Sequence, residues 1–147
     1  MTTVRTSTQQ ETQERFQVAL LGQETEERFS LRIQHPEPRE GTPLHIHTEQ
    51  SETFHVISGK FKFQVGDDIV YGEPGFTVLI PANTPHCFLN IGKEAGHLIS
   101  ILSPGIHDGF IKHIPEAERN GADMAELSQL AEQYGAKILG PKLTHDE

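Results

Sequence analysis

The sequence is poor in cysteine, in positive charge and in long apolar runs, and each shortage closes off a class of protein. A single cysteine, Cys87, cannot close an intrachain disulfide, so nothing in the chain demands an oxidising compartment. Lys and Arg number 12 against 21 Asp and Glu, a formal net charge of −9 with histidine neutral. A nucleic-acid surface needs a positive stripe to neutralise phosphates, and anionic lipids need a polybasic patch; this balance supplies neither. No apolar run approaches the length of a bilayer span, and Met1-Thr2-Thr3-Val4-Arg5 leads into polar residues rather than the apolar core of a secretory signal. The expectation is a soluble cytoplasmic protein that binds neither nucleic acid nor membrane. Its 147 residues suffice for one domain with a full core and no disulfide staples.

What is present is a succession of short strands. Residues 1–14 are rich in Thr, Gln and Glu and read as a flexible arm. Phe16 to Leu21 reads as a strand ending at Gly22. Glu27 to Gln34 alternates, with Phe29, Leu31 and Ile33 on one face and Arg28, Ser30, Arg32 and Gln34 on the other. The prolines of His35-Pro36-Glu37-Pro38-Arg39-Glu40-Gly41 force a loop. From Leu44 strands recur between turn residues: Thr53–Ser58, Lys60–Val65, Ile69–Tyr71 and Phe76–Ile80. His86–Ile91 and His97–Leu102 look like a hairpin joined by residues 92–96. Regular short strands with no helical pattern between them indicate an antiparallel sandwich or barrel over residues 15–112. Residues 113–147 form a helical extension expected to pack on the barrel or on a partner subunit. Pro115 to Asn120 can start one helix, and Asp123 to Tyr134 a better one, with Asp123 and Glu126 at capping-box spacing and Gly135 at the C-cap.

The chemistry gathers in the middle of the chain. Residues two apart in a strand share a side, so His45 and His47 project together. Glu52, Phe54 and Val56 share a face, with His55 opposite; His86, Phe88 and Asn90 share another, with Cys87 and Leu89 opposite. His45, His47, Glu52 and His86 can therefore converge on one divalent transition ion, with Phe54, Val56, Phe88 and Asn90 as candidate pocket residues. Three neutral imidazoles and one carboxylate suit Fe, Mn, Ni, Co, Zn or Cu, and do not choose among them. A chain without the metal would have to leave these groups unpaired in a mostly apolar interior. Glu49 is the alternative carboxylate. The remaining histidines, His35, His97, His107, His113 and His145, read as surface or hydrogen-bonded residues. Cys87 reads as a small buried hydrophobe, since no basic neighbour is evident to lower its pKa.

These residues resemble a known pattern. The first motif of the cupins has a His-x-His pair, a Glu after four residues and a Gly after six more; here stand His45-Ile46-His47, Glu52 and Gly59. The second is matched by Gly75, Pro81-Ala82-Asn83, His86 and Asn90. Gly41 lies two residues closer to His45 than is usual, and Asn83 replaces a turn glycine, a change that the tolerance of Asn for positive φ makes conservative. The chain resembles a small single-domain cupin, similar to the bacterial quercetin-dioxygenase-like members. The resemblance implies an all-β jelly-roll barrel with the metal near its mouth, and frequently a homodimer. It also implies that Glu52 can serve as a catalytic base.

Three functions compete. A metal-dependent dioxygenase would bind a small aromatic or apolar oxygenated molecule. A non-redox isomerase or lyase would polarise a carbonyl; for a sugar phosphate it would want Arg or Lys near the mouth, and none is evident on the ligand-facing phases. A non-catalytic module would only retain a small molecule.

Overall fold

The computed structural model describes residues 16–144; the expected N-terminal arm at 1–14 and His145 lie outside the described residues. The alternating segments form strands β1 (Phe16–Leu20), β2 (Ser30–Gln34), β3 (Pro43–His47), β4 (Ser51–Ser58), β5 (Phe61–Val65), β6 (Asp68–Gly72), β7 (Thr77–Ile80), β8 (His86–Asn90) and β9 (His97–Ser103). Two helices, α1 (Phe110–Arg119) and α2 (Met124–Glu132), and a last strand, β10 (Ala136–Lys142), complete the described chain. The strands make two five-stranded antiparallel sheets, in the orders β1-β2-β9-β4-β7 and β10-β3-β8-β5-β6. The architecture is the all-β jelly roll with a C-terminal helical appendage that the sequence implies. No helix among the described residues is long and apolar enough to cross a membrane.

The two sheets close over an aromatic core. Phe54, Val56, Phe61, Phe63, Ile80, Phe88 and Leu98 form one buried cluster. Phe54 lies 5.6 Å from both Phe63 and Phe88, ring to ring, in tilted and edge-on arrangements that suit the aromatic quadrupole. Each fully buried ring contributes roughly 1.5–3 kcal/mol over exposure, so the clamp between the sheets is strong.

Three expectations are corrected. β8 and β9 are not a hairpin: β8 pairs with β3 and β5 in one sheet, β9 with β2 and β4 in the other. Residues 92–96 therefore carry the chain across the sandwich. The first C-terminal helix begins at Phe110 rather than Pro115, because Phe110, Ile111 and Ile114 are buried and hold its first turns down despite the proline inside. The segment after Tyr134 is a strand, not a helical tail: Ala136, Lys137 and Ile138 pair with His47, Ile46 and His45. Its Gly140 and Pro141 tolerate that role because β10 is an edge strand, where a missing N–H can face outward.

The second helix forms as its sequence dictates. Asp123 accepts a 2.8 Å hydrogen bond from the Glu126 amide, while Glu126 accepts from the Asp123 amide. Leu127 and Ala131 join Phe110, Ile114 and Ala136 in a second buried cluster that fastens both helices to β10. Asn83 has φ +65°, so it does occupy the left-handed turn position. Gly41 is required for a different reason: a Cβ there would meet the Phe88 carbonyl oxygen at 2.0 Å.

Candidate metal centre

Strand phase and sheet register bring four side chains together. His45 and His47 face inward from β3, and His45 sits directly opposite His86 of β8. Glu52 reaches in from β4, on the facing sheet. One ligand atom from each of the four lies within 4.8 Å of the others, and all four residues are buried. Among the described residues this is the group of His, Cys, Asp and Glu that could hold a metal ion.

The protonation pattern fits a cation. His45 Nδ1 lies 2.8 Å from the Pro43 carbonyl oxygen, and His86 Nδ1 lies 2.9 Å from that of Thr84. A carbonyl oxygen can only accept, so in each neutral ring the proton sits on Nδ1 and Nε2 keeps its lone pair. His86 Nε2 then faces Glu52 Oε1 at 3.1 Å, and His47 Nε2 faces the same oxygen at 3.4 Å. With the His86 ring neutral, its Nε2 and Glu52 Oε1 meet lone pair to lone pair, and a cation between them relieves that contact. The backbone carbonyls act as the outer partners that hold ligating imidazoles in one tautomer.

Electrostatics point the same way. Burial pushes His45 well below the ordinary histidine range, and repulsion from His86 and His47 adds to it. Burial also lowers His47, against the pull of Glu52. For Glu52 burial alone would raise the pKa, but its close contacts with His47 and His86 outweigh it and hold the carboxyl well below its usual range. Neutral imidazoles and an ionised carboxylate are the forms that ligate metal.

The centre opens into a small chamber of about 20 Å³ lined by His45, His47, Glu52, Phe54, Phe88, Phe110 and Ile111, with Arg32, Gln34 and Thr42. Next to it, under α1, lies a larger cavity of about 330 Å³ that shares the walls of Gln34, Thr42, His45, Phe88, Phe110 and Ile111. Phe110 stands at the boundary between the two, on the wall of each. Its ring stacks on His45 at 5.6 Å and meets His47 edge-on at 5.2 Å.

Of the pocket residues expected from strand phase, Phe54 and Phe88 line the small chamber, whereas Val56 and Asn90 do not. Val56 shares the inward phase but lies deeper, sealed inside the aromatic cluster. Asn90 is saturated as a clamp: its amide donates to Pro36 O and Glu94 O, both at 2.9 Å, and its oxygen accepts from Gly92 N at 2.8 Å. Glu49 stands apart from the four, against His107 at 3.3 Å. His55 points away and meets Thr77 Oγ1 at 2.7 Å. Cys87 is buried, and burial raises its thiol to about 11, so it is no nucleophile.

The expected absence of an Arg or Lys on the ligand-facing side is corrected by β2. Its polar face, Ser30, Arg32 and Gln34, is the buried one, while Leu31 and Ile33 lie on the outer, half-buried side. The interior at this end of the barrel is a polar cavity, so it takes the polar phase of an alternating strand. Arg32 thereby stands on the ligand-facing side, where sequence reasoning had found no cation. Phe110 and Ile111 were missed because the helix that carries them was placed too late; their spacing to Ile114 is the helical signal that marked it.

Residues 32–102 match the family model described as a cupin domain. This segment is a cupin domain. Similar folds occur in solved structures. The cupin domain of Schizosaccharomyces pombe Cnp3 aligns with a TM-score of 0.55 and 20% identity over 77% of each chain. An uncharacterized conserved protein with a double-stranded beta-helix domain from Klebsiella pneumoniae aligns with a TM-score of 0.51 and 22% identity, over 54% of this chain and 70% of that one. A predicted oxalate decarboxylase from Thermotoga maritima aligns with a TM-score of 0.55 and 15% identity, over 60% and 78%. At these identities the likeness is one of fold. No curated protein matches the chain. The cupin domain supplies all four candidate ligands, and the segment beyond it supplies Phe110 and β10.

Proposed function

We propose that the protein is a metal-dependent dioxygenase acting on a small oxygenated molecule with an aromatic or apolar body, similar in type to the quercetinase-like cupins. The observation that supports this reading is the buried three-histidine, one-glutamate cluster beside an aromatic-walled cavity. His45, His47, Glu52 and His86 would hold one divalent ion, which supplies Lewis acidity and, for redox-active ions, access to dioxygen chemistry. Phe54, Phe88 and Phe110 receive the apolar body and keep water from the centre. Glu52 is the base: its oxygen takes the proton of an enolic or phenolic hydroxyl, a role implied by the resemblance to the quercetinase-like cupins and allowed by its place on the chamber wall.

A non-redox isomerase or lyase is the second reading, favoured by Arg32, a buried cation on the ligand-facing side. The two are separated by reconstitution with Fe(II), Mn(II), Ni(II), Co(II), Cu(II) and Zn(II). The dioxygenase reading requires oxygen uptake with at least one redox-active ion across flavonols, diketones and catechols. Turnover of carbonyl substrates with Zn(II) in anaerobic buffer, without oxygen uptake under any condition, would replace it with the second. A homodimer is part of the proposal, with Ile57, Leu79 and Ile101, exposed on the neighbouring strands β4, β7 and β9, as its contact. A monomer by analytical ultracentrifugation removes that element.

A further inference from the structure

Arg32 is the buried group for which the proposed dioxygenase chemistry has no use. It is 2% exposed, and its Nε and Nη2 have no hydrogen-bond partner among the described residues. A buried guanidinium without hydrogen bonds is among the more costly arrangements in a protein interior, and such groups are normally paired. The nearby carboxylates are already engaged. Asp108 accepts from Ser30 Oγ through one oxygen and from the Gly22 amide at 2.8 Å through the other. Glu52 directs Oε1 at His47 and His86. Both attract Arg32 through space without bonding it.

The surroundings of Arg32 are built for a polar guest. Ser100 is its direct neighbour across β2 and β9, and Phe54 is the next residue in the same inward row. Ser100 Oγ and Gln34 Oε1 are likewise buried without partners. Arg32 and Gln34 line the small chamber together with His45, His47 and Glu52. The Phe110 ring lies 5.9 Å from the guanidinium carbon and leaves the N–H edge as the reactive side of the group.

We infer that Arg32, with the Ser100 hydroxyl as a second donor, is a receptor for the carboxylate of a small organic acid, which it holds beside the metal centre. The inference deepens the proposed function and rests on it for the acid's role as substrate. Charge and shape select the class. With a divalent ion in place, the ion and Arg32 exceed Glu52 and Asp108 by one positive charge, which a monoanion neutralises and a phosphate dianion overshoots. The planar Nε–Nη2 fork matches the two oxygens of a carboxylate. The acid's body extends along Phe54, Phe88 and Phe110 toward the larger cavity.

The test uses matched pairs: benzoate, salicylate and 2-oxobutyrate, each against its neutral amide, titrated calorimetrically into metal-loaded and chelator-treated protein. At least one acid should bind about 10- to 100-fold more tightly than its amide, the range expected for charge-assisted hydrogen bonds. Arg32→Met should abolish that preference, leave bound metal per chain unchanged, and not lower the melting temperature, since it removes an unpaired buried charge. Arg32→Lys, which keeps the charge but not the fork, should retain only part of the preference. If no acid outbinds its amide in wild-type protein carrying full metal, the carboxylate receptor is wrong while the metal centre stands. An acid preference in wild-type protein that takes up no metal upholds the receptor and removes the metal centre. A carboxylate preference surviving in Arg32→Met also overturns the assignment, and a Met variant that fails to fold leaves the wild-type pairs and the Lys variant to decide it.

Discussion

Removing one ligand from the candidate centre should uncouple metal from stability, and His86→Ala is the sharpest such change. His86 is buried opposite His45, is held in one tautomer by Thr84 O and faces Glu52 Oε1 at 3.1 Å. The four ligands are already assembled in the folded chain and dispersed in the unfolded one, so metal binding adds directly to folding free energy. At a free ion concentration about 100-fold above Kd that addition is about 2.7 kcal/mol. For a chain of this size each kcal/mol moves the melting temperature by roughly 2–4 °C, so the wild-type shift should be about 5–11 °C. Chelator-treated protein would be melted with and without each divalent ion by differential scanning fluorimetry, with bound metal measured by elemental analysis. His86→Ala should lose most of both the shift and the bound metal. The centre is refuted if wild-type protein melts at one temperature with and without every ion tested, or if His47→Ala and His86→Ala both retain the wild-type metal content.

Acid should destabilise the metal-free protein. The folded pKa of His45 lies below its ordinary 6.5, and that of Glu52 below 4.5, so the unfolded chain binds more protons at both. The stability they carry is present above those values and is lost as the pH falls first through 6.5 and then through 4.5; a melting temperature that rises between about pH 7 and pH 5 would contradict the burial of His45. Phe110→Ala should cost about 3 kcal/mol in denaturant unfolding and speed chelator extraction of bound metal, because the ring is the wall across His45 and His47. An unchanged extraction rate would show that the ring does not guard the centre. Asn90→Ala should cost roughly 2–4 kcal/mol through its three lost hydrogen bonds. Its metal content should stay unchanged, and a metal-deficient but stable variant would return Asn90 to the site.

The C-terminal segment is more than an appendage in this arrangement. β10 covers the free edge of β3 along the stretch that carries His45 and His47, so the backbone of two ligands is hydrogen-bonded on that side. α1 roofs the mouth of the barrel through Phe110, Ile111 and Ile114. A barrel of residues 32–102 alone would present its metal side chains to solvent on that face, with the lower water exclusion that this implies.

The ligand set could be read from the chain alone because it depends on local rules. Alternation in β3, β4 and β8 determines which side chains share a side, and two motifs at fixed spacing set His45, His47, Glu52 and His86 apart from the other histidines. The capping box of α2 and the left-handed turn at Asn83 are local too, and both formed as their residue types require. What local rules could not decide was which side of an alternating strand faces in. β2 offers an apolar and a polar face, and only the packing of the sheets around a polar cavity turned Ser30, Arg32 and Gln34 inward. Depth along a shared phase is equally invisible: Val56 is sealed in the core between the sheets, and Asn90 is tied to the loop backbone at Pro36, Gly92 and Glu94. Partner choice is non-local as well: β8 and β9 resemble a hairpin in sequence, yet each pairs within a different sheet, and β10 pairs with β3 from the far end of the described chain. Sequence thus singled out the four candidate ligands of the centre, because alternation within each strand and two spaced motifs mark them. Tertiary structure alone decided its roof, its cation and its walls, because those come from residues that meet only when the sheets close.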